Sequence, residues 1–250
     1  VAHRPAPPPL RASTGSRATP PRTLPTGPAR APAALCRPAL LHLSHQGSGV
    51  ACSRCAWYAA GTVAGANGKP MPLVLMLHGC TQNPDDFATG TGMNQAAAEA
   101  GALVVYPAQL RNANPNACWN WFTPEHQQRG GGEPDLLVEM VRDVMARHPV
   151  DPQRIYVTGL SAGGAMASLL GREYPELFAA VGVHSGLQAG AANNMMGALS
   201  AMKSGAQPGP ATHSTGHAAA SPPPPLSVFL RDAHTTGHAP NASPLIPAPL

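Results

Sequence analysis

The sequence predicts an α/β fold: a mostly parallel sheet with flanking helices. Three observations carry that expectation. Short continuous apolar runs recur between residues 72 and 186. Segments with helical periodicity alternate with them. At one junction a strand pattern runs into a helix pattern through Gly159-x-Ser161-x-Gly163. Continuous apolar runs mark strands buried on both faces. Strands that alternate with helices pair in parallel through right-handed crossovers.

The elements follow in chain order. "PLVLMLHG" (72–79) is apolar throughout and stops at Gly79, which predicts a buried strand. "GMNQAAAEAGA" (92–102) is Ala-rich and predicts a helix ending near Gly101. "LVVYPA" (103–108) predicts a second buried strand. "EPDLLVEMVRDVMARHP" (133–149) carries the strongest helical period. Leu136, Leu137, Met140, Val141, Val144 and Met145 share one face, acids lead the first turn, and Arg147 and His148 close the last. "RIYVTGL" (154–160) predicts a third strand, "AGGAMASLLGREYP" (162–175) a helix and "FAAVGVHSG" (178–186) a fourth strand. Residues 187–225 lose the pattern and are expected to be irregular, and "LSVFL" (226–230) predicts one more strand.

The flanks differ from this centre. Residues 1–70 hold eight Lys and Arg and no acid, while 71–190 hold eleven acids and six Lys and Arg. The basic balance therefore belongs to the N-terminal flank. Its arginines lie among Pro and Ala with almost no aromatic residues, which argues against a nucleic-acid partner. Ten prolines in residues 1–40 predict a disordered segment, taken to extend over 1–65. That segment lacks the charged, apolar and small-residue succession of a signal peptide. The tail 236–250 is also expected to be disordered, which leaves 66–235 as the folded domain. No apolar run is long enough to span a membrane. Oligomeric state leaves no trace. Cys52-x-x-Cys55 stands without a second pair or a nearby His at ligand spacing. It reads as exposed thiols rather than as a metal site.

Chemistry concentrates at Ser161. A sharp strand-to-helix turn holds a serine hydroxyl proud of a sheet, and side chains at 159 and 163 would collide with neighbouring strand and helix. The helix that follows points free N–H groups at the same place, where a developing oxyanion gathers charge. The loop after the first strand, "LHGCTQN" (77–83), is placed to add the Cys80 N–H to that of Ala162. His78, directly after a buried strand, reads as a loop-shaping histidine. "CWNWF" (118–122) places Trp119 and Trp121 in one loop. They read either as an apolar wall for an acyl chain or as core packing. No cofactor and no metal are implied, because serine ester chemistry needs neither.

"PLVLMLHGCTQNPDDFATGTGMN", "ACWNWF", "GEPDLLVEMVRDVMARHPVDPQRIYVTGLSAGGAMA" and "VGVHSGL" together resemble the esterase family of short-chain poly(3-hydroxybutyrate) depolymerases. That family is related to the feruloyl and acetylxylan esterases of the α/β-hydrolase fold. The resemblance runs from about residue 66 to 205. It implies a serine esterase acting on an ester or polyester, with Ser161 as nucleophile and Cys80 and Ala162 as oxyanion hole. It also implies a disulfide between Cys80 and Cys118, with free thiols as the alternative, and an exported, extracellular protein.

The resemblance thins toward the C-terminus. In this fold the triad acid and then the histidine follow the serine. "PLSVFLRDAHTTGHAPNAS" (225–243) resembles the family's strand and turn, but Leu230 and Arg231 replace its His-Gly and Gly237 its Val. Asp232 matches the first aspartate and is the candidate acid, while His234 occupies the place of the usual triad acid. His238 lies only six residues beyond Asp232. His184, His213 and His217 precede that region and carry no motif. The fold is therefore expected to be incomplete at its C-terminal end, and the chain to be an impaired esterase or a binding remnant.

Overall fold

The computed structural model describes residues 39–41, 55–59, 69–204 and 223–229, all within the unit Ala34–Leu250. Its strands are β1 (Ala39–Leu41), β2 (Cys55–Ala59), β3 (Met71–Leu77), β4 (Leu103–Pro107), β5 (Val150–Leu160), β6 (Ala180–His184) and β7 (Leu226–Phe229). They form one sheet in the order β1-β2-β4-β3-β5-β6-β7. The two N-terminal strands join antiparallel, and the five from β4 to β7 run parallel. The mostly parallel α/β expectation is met.

Side-chain alternation along the strands divides the core into two layers. Leu73, Leu75 and Leu77 of β3, with Leu103 and Val105 of β4, face the larger one. There they meet α3 (Gly132–Arg147) and α4 (Ala162–Glu173) through Leu137, Met140, Val141, Met166 and Leu170. Met76, Val104 and Tyr106 face the other way, toward Phe87, Ala88 and Ala97 of α1 (Pro84–Thr91) and α2 (Met93–Ala100). Both faces of the central strands are therefore dry, which is why their sequences read as unbroken apolar runs. Each fully buried leucine contributes about 1.5–3 kcal/mol relative to exposure.

Local signals explain the helix limits. Asn83 caps α1 by accepting from the Asp86 N–H, and Pro84 opens the helix where no N–H is needed. Gly101 ends α2 at φ 65°, where its N–H reaches Ala97 and Ala98 carbonyls.

The structure departs from the sequence expectations at three places. The strands β1 and β2 lie inside 1–65, so the folded unit begins before residue 66. The prolines that suggested disorder are concentrated before residue 39, and "CAWYA" is itself a good strand sequence. Within 187–225, expected to be irregular, α5 (Met195–Ser204) forms and buries Ala198 and Ala201. Its Met- and Ala-rich composition favours helix even without a clear polar stripe. The α1 helix was also missed, because its apolar face is short. The remainder of 1–65 and the tail 236–250 lie outside the described residues.

Candidate active site

The turn between β5 and α4 holds Ser161 at φ 55° and ψ −118°. A non-glycine residue in that region carries about 1–3 kcal/mol of strain and stays there only if its surroundings impose it. Two backbone bonds do so. The Ser161 N–H donates to His184 O at 2.9 Å, and Ala165 N–H donates to Ser161 O at 3.0 Å. The flanking glycines allow the helix to seat directly on the sheet. A Cβ on Gly159 would lie 2.3 Å from Gly163 backbone, and one on Gly163 would lie 2.1 Å from Leu77 O. Ala162, the first residue of α4, contributes one of the helix-start N–H groups that have no acceptor within the helix.

The loop after β3 runs beside this turn. A Cβ on Gly79 would lie 3.7 Å from Ser161 Cβ. His78 is 1% exposed and its ring is held on both sides. The Gln109 N–H donates to Nε2 at 3.1 Å, so Nε2 carries no proton. The neutral ring then bears its proton on Nδ1, which donates to Gly79 O at 2.8 Å. Burial lowers the His78 pKa, with the Gly79 bond acting in the opposite direction. The Trp119 Nε1–H donates to His78 O at 3.1 Å, and Gly79 N–H donates to Gln82 Oε1 at 2.8 Å. Gln82 N–H reaches Gly79 O at 3.4 Å, and Thr81 N–H reaches Asn116 O at 2.6 Å.

A second loop is tied to the first. Cys80 and Cys118 form a disulfide with a Cα–Cα distance of 4.2 Å. Glu133 lies in the first turn of α3 and is 1% exposed. Its carboxylate accepts from Gln109 Nε2 at 2.5 Å, Asn120 Nδ2 at 2.6 Å and Asn120 N–H at 2.7 Å. Gln109 Nε2 also donates to Cys118 O at 3.0 Å. A buried carboxylate with three donors joins the loop after β4 to the tryptophan loop.

The structure thus brings together Ser161, Ala162, Gly79 and Cys80 at the carboxyl ends of β3 and β5. Trp119 and Trp121 are 1% and 3% exposed. Of the two readings open for them, packing describes both: Trp119 supports His78, and Trp121 meets Phe122 edge to face at 5.7 Å. They do not form an open wall, because both are buried in the larger core layer. Asp232, His213, His217, His234 and His238 lie outside the described residues. Among the described residues no imidazole is hydrogen-bonded to the Ser161 hydroxyl, and no group of His, Cys, Asp and Glu is arranged to hold a metal. No described helix is long and apolar enough to cross a membrane.

Sequence reasoning missed Glu133 and Gln109. An acid in a helix's first turn reads as a partner of the helix dipole, and only the tertiary structure shows that this one is buried.

The family profile for esterase PHB depolymerase matches residues 56–222. Poly(3-hydroxyalkanoate) depolymerase C of Paucimonas lemoignei is 39% identical over 140 residues, covering 56% of this chain and 34% of that protein. Probable acetylxylan esterase A of Neosartorya fischeri is 32% identical over 119 residues, covering 47% and 32%. The chain therefore spans about a third of the length of these curated relatives. The solved acetyl xylan esterase from Aspergillus awamori superposes with a TM-score of 0.64 at 22% identity, over 75% of this chain and 70% of that one. That likeness is of fold, the α/β-hydrolase fold.

Proposed function

The chain belongs to the esterase PHB depolymerase family, and from that premise we propose that it is a serine carboxylic-ester hydrolase acting through Ser161. The observation that carries this reading is the strained Ser161 backbone, held where β5 meets α4 and beside Gly79. Strain of this kind persists at sites that use it.

The chemistry follows from the arrangement. Ser161 Oγ forms a bond to the ester carbonyl carbon as a base takes its proton. The carbonyl oxygen becomes an oxyanion, facing the N–H groups of Ala162 and Cys80. Collapse breaks the bond to the alkoxy oxygen, which leaves with the proton. Water then attacks the acyl-serine and returns the free acid. Asp232, in the segment that resembles the family's strand and turn, is the candidate acid.

A hydroxyalkanoate polyester is the proposed substrate class, supported by the depolymerase relative. Acetylxylan or feruloyl esters are the second reading, favoured by the acetylxylan esterase likeness. The Cys80–Cys118 bond supports an exported protein, because disulfides persist in oxidising compartments.

The test is hydrolysis of p-nitrophenyl butyrate by the 250-residue chain and by Ser161→Ala, with fluorophosphonate labelling of both. Labelling confined to Ser161, and turnover lost in the variant, is the expected result. A folded parent that neither labels nor turns over refutes the nucleophile reading and leaves a binding remnant.

A further inference from the structure

We propose that His78 is a positioning residue that aims the Cys80 N–H at the reacting carbonyl oxygen. This inference rests on the reading of Ser161 as nucleophile and Cys80 N–H as oxyanion donor.

One peptide unit links the His78 ring to the Cys80 N–H. Gly79 C=O and Cys80 N–H belong to the same planar amide, and the described chain has no cis peptide bonds. In a trans amide the carbonyl and the N–H point in opposite directions. Whatever fixes Gly79 O therefore fixes the direction of Cys80 N–H. His78 Nδ1–H fixes it at 2.8 Å, helped by Gln82 N–H at 3.4 Å. The preceding peptide unit is clamped as well, by Trp119 Nε1–H on His78 O and by Gln82 Oε1 on Gly79 N–H.

The ring cannot rotate away. Its Nε2 accepts from the Gln109 N–H at 3.1 Å, and its face lies 5.5 Å from Trp119, centroid to centroid. Gln109 is in turn fixed by Glu133 and Cys118 O. A backbone N–H facing Nε2 selects the one neutral tautomer that can donate to Gly79 O. The protonated ring would set Nε2–H against Gln109 N–H. Buried histidines that only fill space have no need of both constraints. Here one ring nitrogen holds the loop that abuts Ser161, and the other is fixed by the loop after β4.

The experiment measures fluorophosphonate inactivation of Ser161 in the full chain, resolving the reversible Ki from the covalent rate constant. It compares the parent with His78→Leu, His78→Asn and His78→Gln. Asparagine places an amide N–H near the position of Nδ1, whereas glutamine reaches only the position of Nε2. We expect His78→Leu to lower the covalent rate constant roughly tenfold or more, on the scale of losing part of an oxyanion donor. Its Ki should stay within about twofold. His78→Asn should recover most of the loss, and His78→Gln should not. A folded His78→Leu that reacts at the parental rate, or Asn and Gln variants that fall equally, overturns the proposal while leaving Ser161 as nucleophile. The Asn-against-Gln contrast decides the matter if His78→Leu does not fold. A parent that is never labelled overturns the underlying reading and this one with it.

Discussion

Replacing Gly163 with alanine should damage stability and reactivity together. The added Cβ would lie 2.1 Å from Leu77 O and 2.6 Å from His78 O. An ordinary contact is about 3.5 Å, so backbone must part by more than about 1 Å. Neither partner is a flexible side chain. Leu77 ends β3, which is paired to β4 and β5 and cannot yield alone, and His78 follows it directly. Overpacking of this type costs about 1–3 kcal/mol, and a backbone clash belongs at the upper end. At about 2–4 °C per kcal/mol for a chain this size, Tm should fall by about 6–12 °C. Moving α4 by about 1 Å also displaces Ser161 and Ala162, and displacement on that scale costs on the order of 100-fold in rate. The assay is thermal unfolding by circular dichroism beside fluorophosphonate labelling. Gly90→Ala serves as control, because a Cβ there meets nothing within 4 Å and the site is helical. It should raise stability by about 0.5–1 kcal/mol. If Gly163→Ala melts within about 2 °C of the parent and labels at the same rate, the packing argument is wrong.

Three further outcomes are expected. Ser161→Gly should abolish labelling yet raise stability by about 1–2 kcal/mol, because glycine adopts φ 55° without strain; an unchanged Tm would show that the turn stores none. Reducing the Cys80–Cys118 bond, or replacing both residues with alanine, should lower stability by up to about 4 kcal/mol by chain entropy over 38 residues; denaturant titration checks this. Acidification should destabilise the fold in a way that His78→Asn weakens. Folded His78 binds its proton less tightly than an unfolded histidine near pH 6.5, so the unfolded chain holds more protons below that pH. Stability therefore falls as pH drops through about 6.5 and levels off below the folded-state value. Equal Tm–pH slopes for the parent and variant would contradict the assignment.

The central sheet was legible because its strands are buried on both faces. Leu73 to Leu77 and Leu103 to Tyr106 need apolar residues at every step, and that leaves an unmistakable run. Ser161 was legible for a different reason. The collision of Gly159 with Gly163, and of Gly163 with Leu77, can be relieved only by glycine, so the geometry is written into the spacing. Glu133 was not legible. Its burial depends on Gln109 and Asn120 arriving from two other loops, and no local pattern encodes their convergence. The tryptophans were half legible: residue type announced an apolar role, but only packing showed that Trp119 supports His78. The strands β1 and β2 were hidden by proline-rich neighbours whose composition dominated the segment.

The pairing of β3 with β5 also has a kinetic consequence. Leu77 and Gly159 are register partners in the sheet, yet α1, α2, β4 and α3 separate them along the chain. Contacts of such long sequence range form slowly, since loop closure must precede any gain from burial. The turn that holds Ser161 is completed only after that closure. Reactivity toward a fluorophosphonate would therefore appear late in refolding, after most secondary structure. Ser161 could then serve as a clock for completion of the parallel sheet.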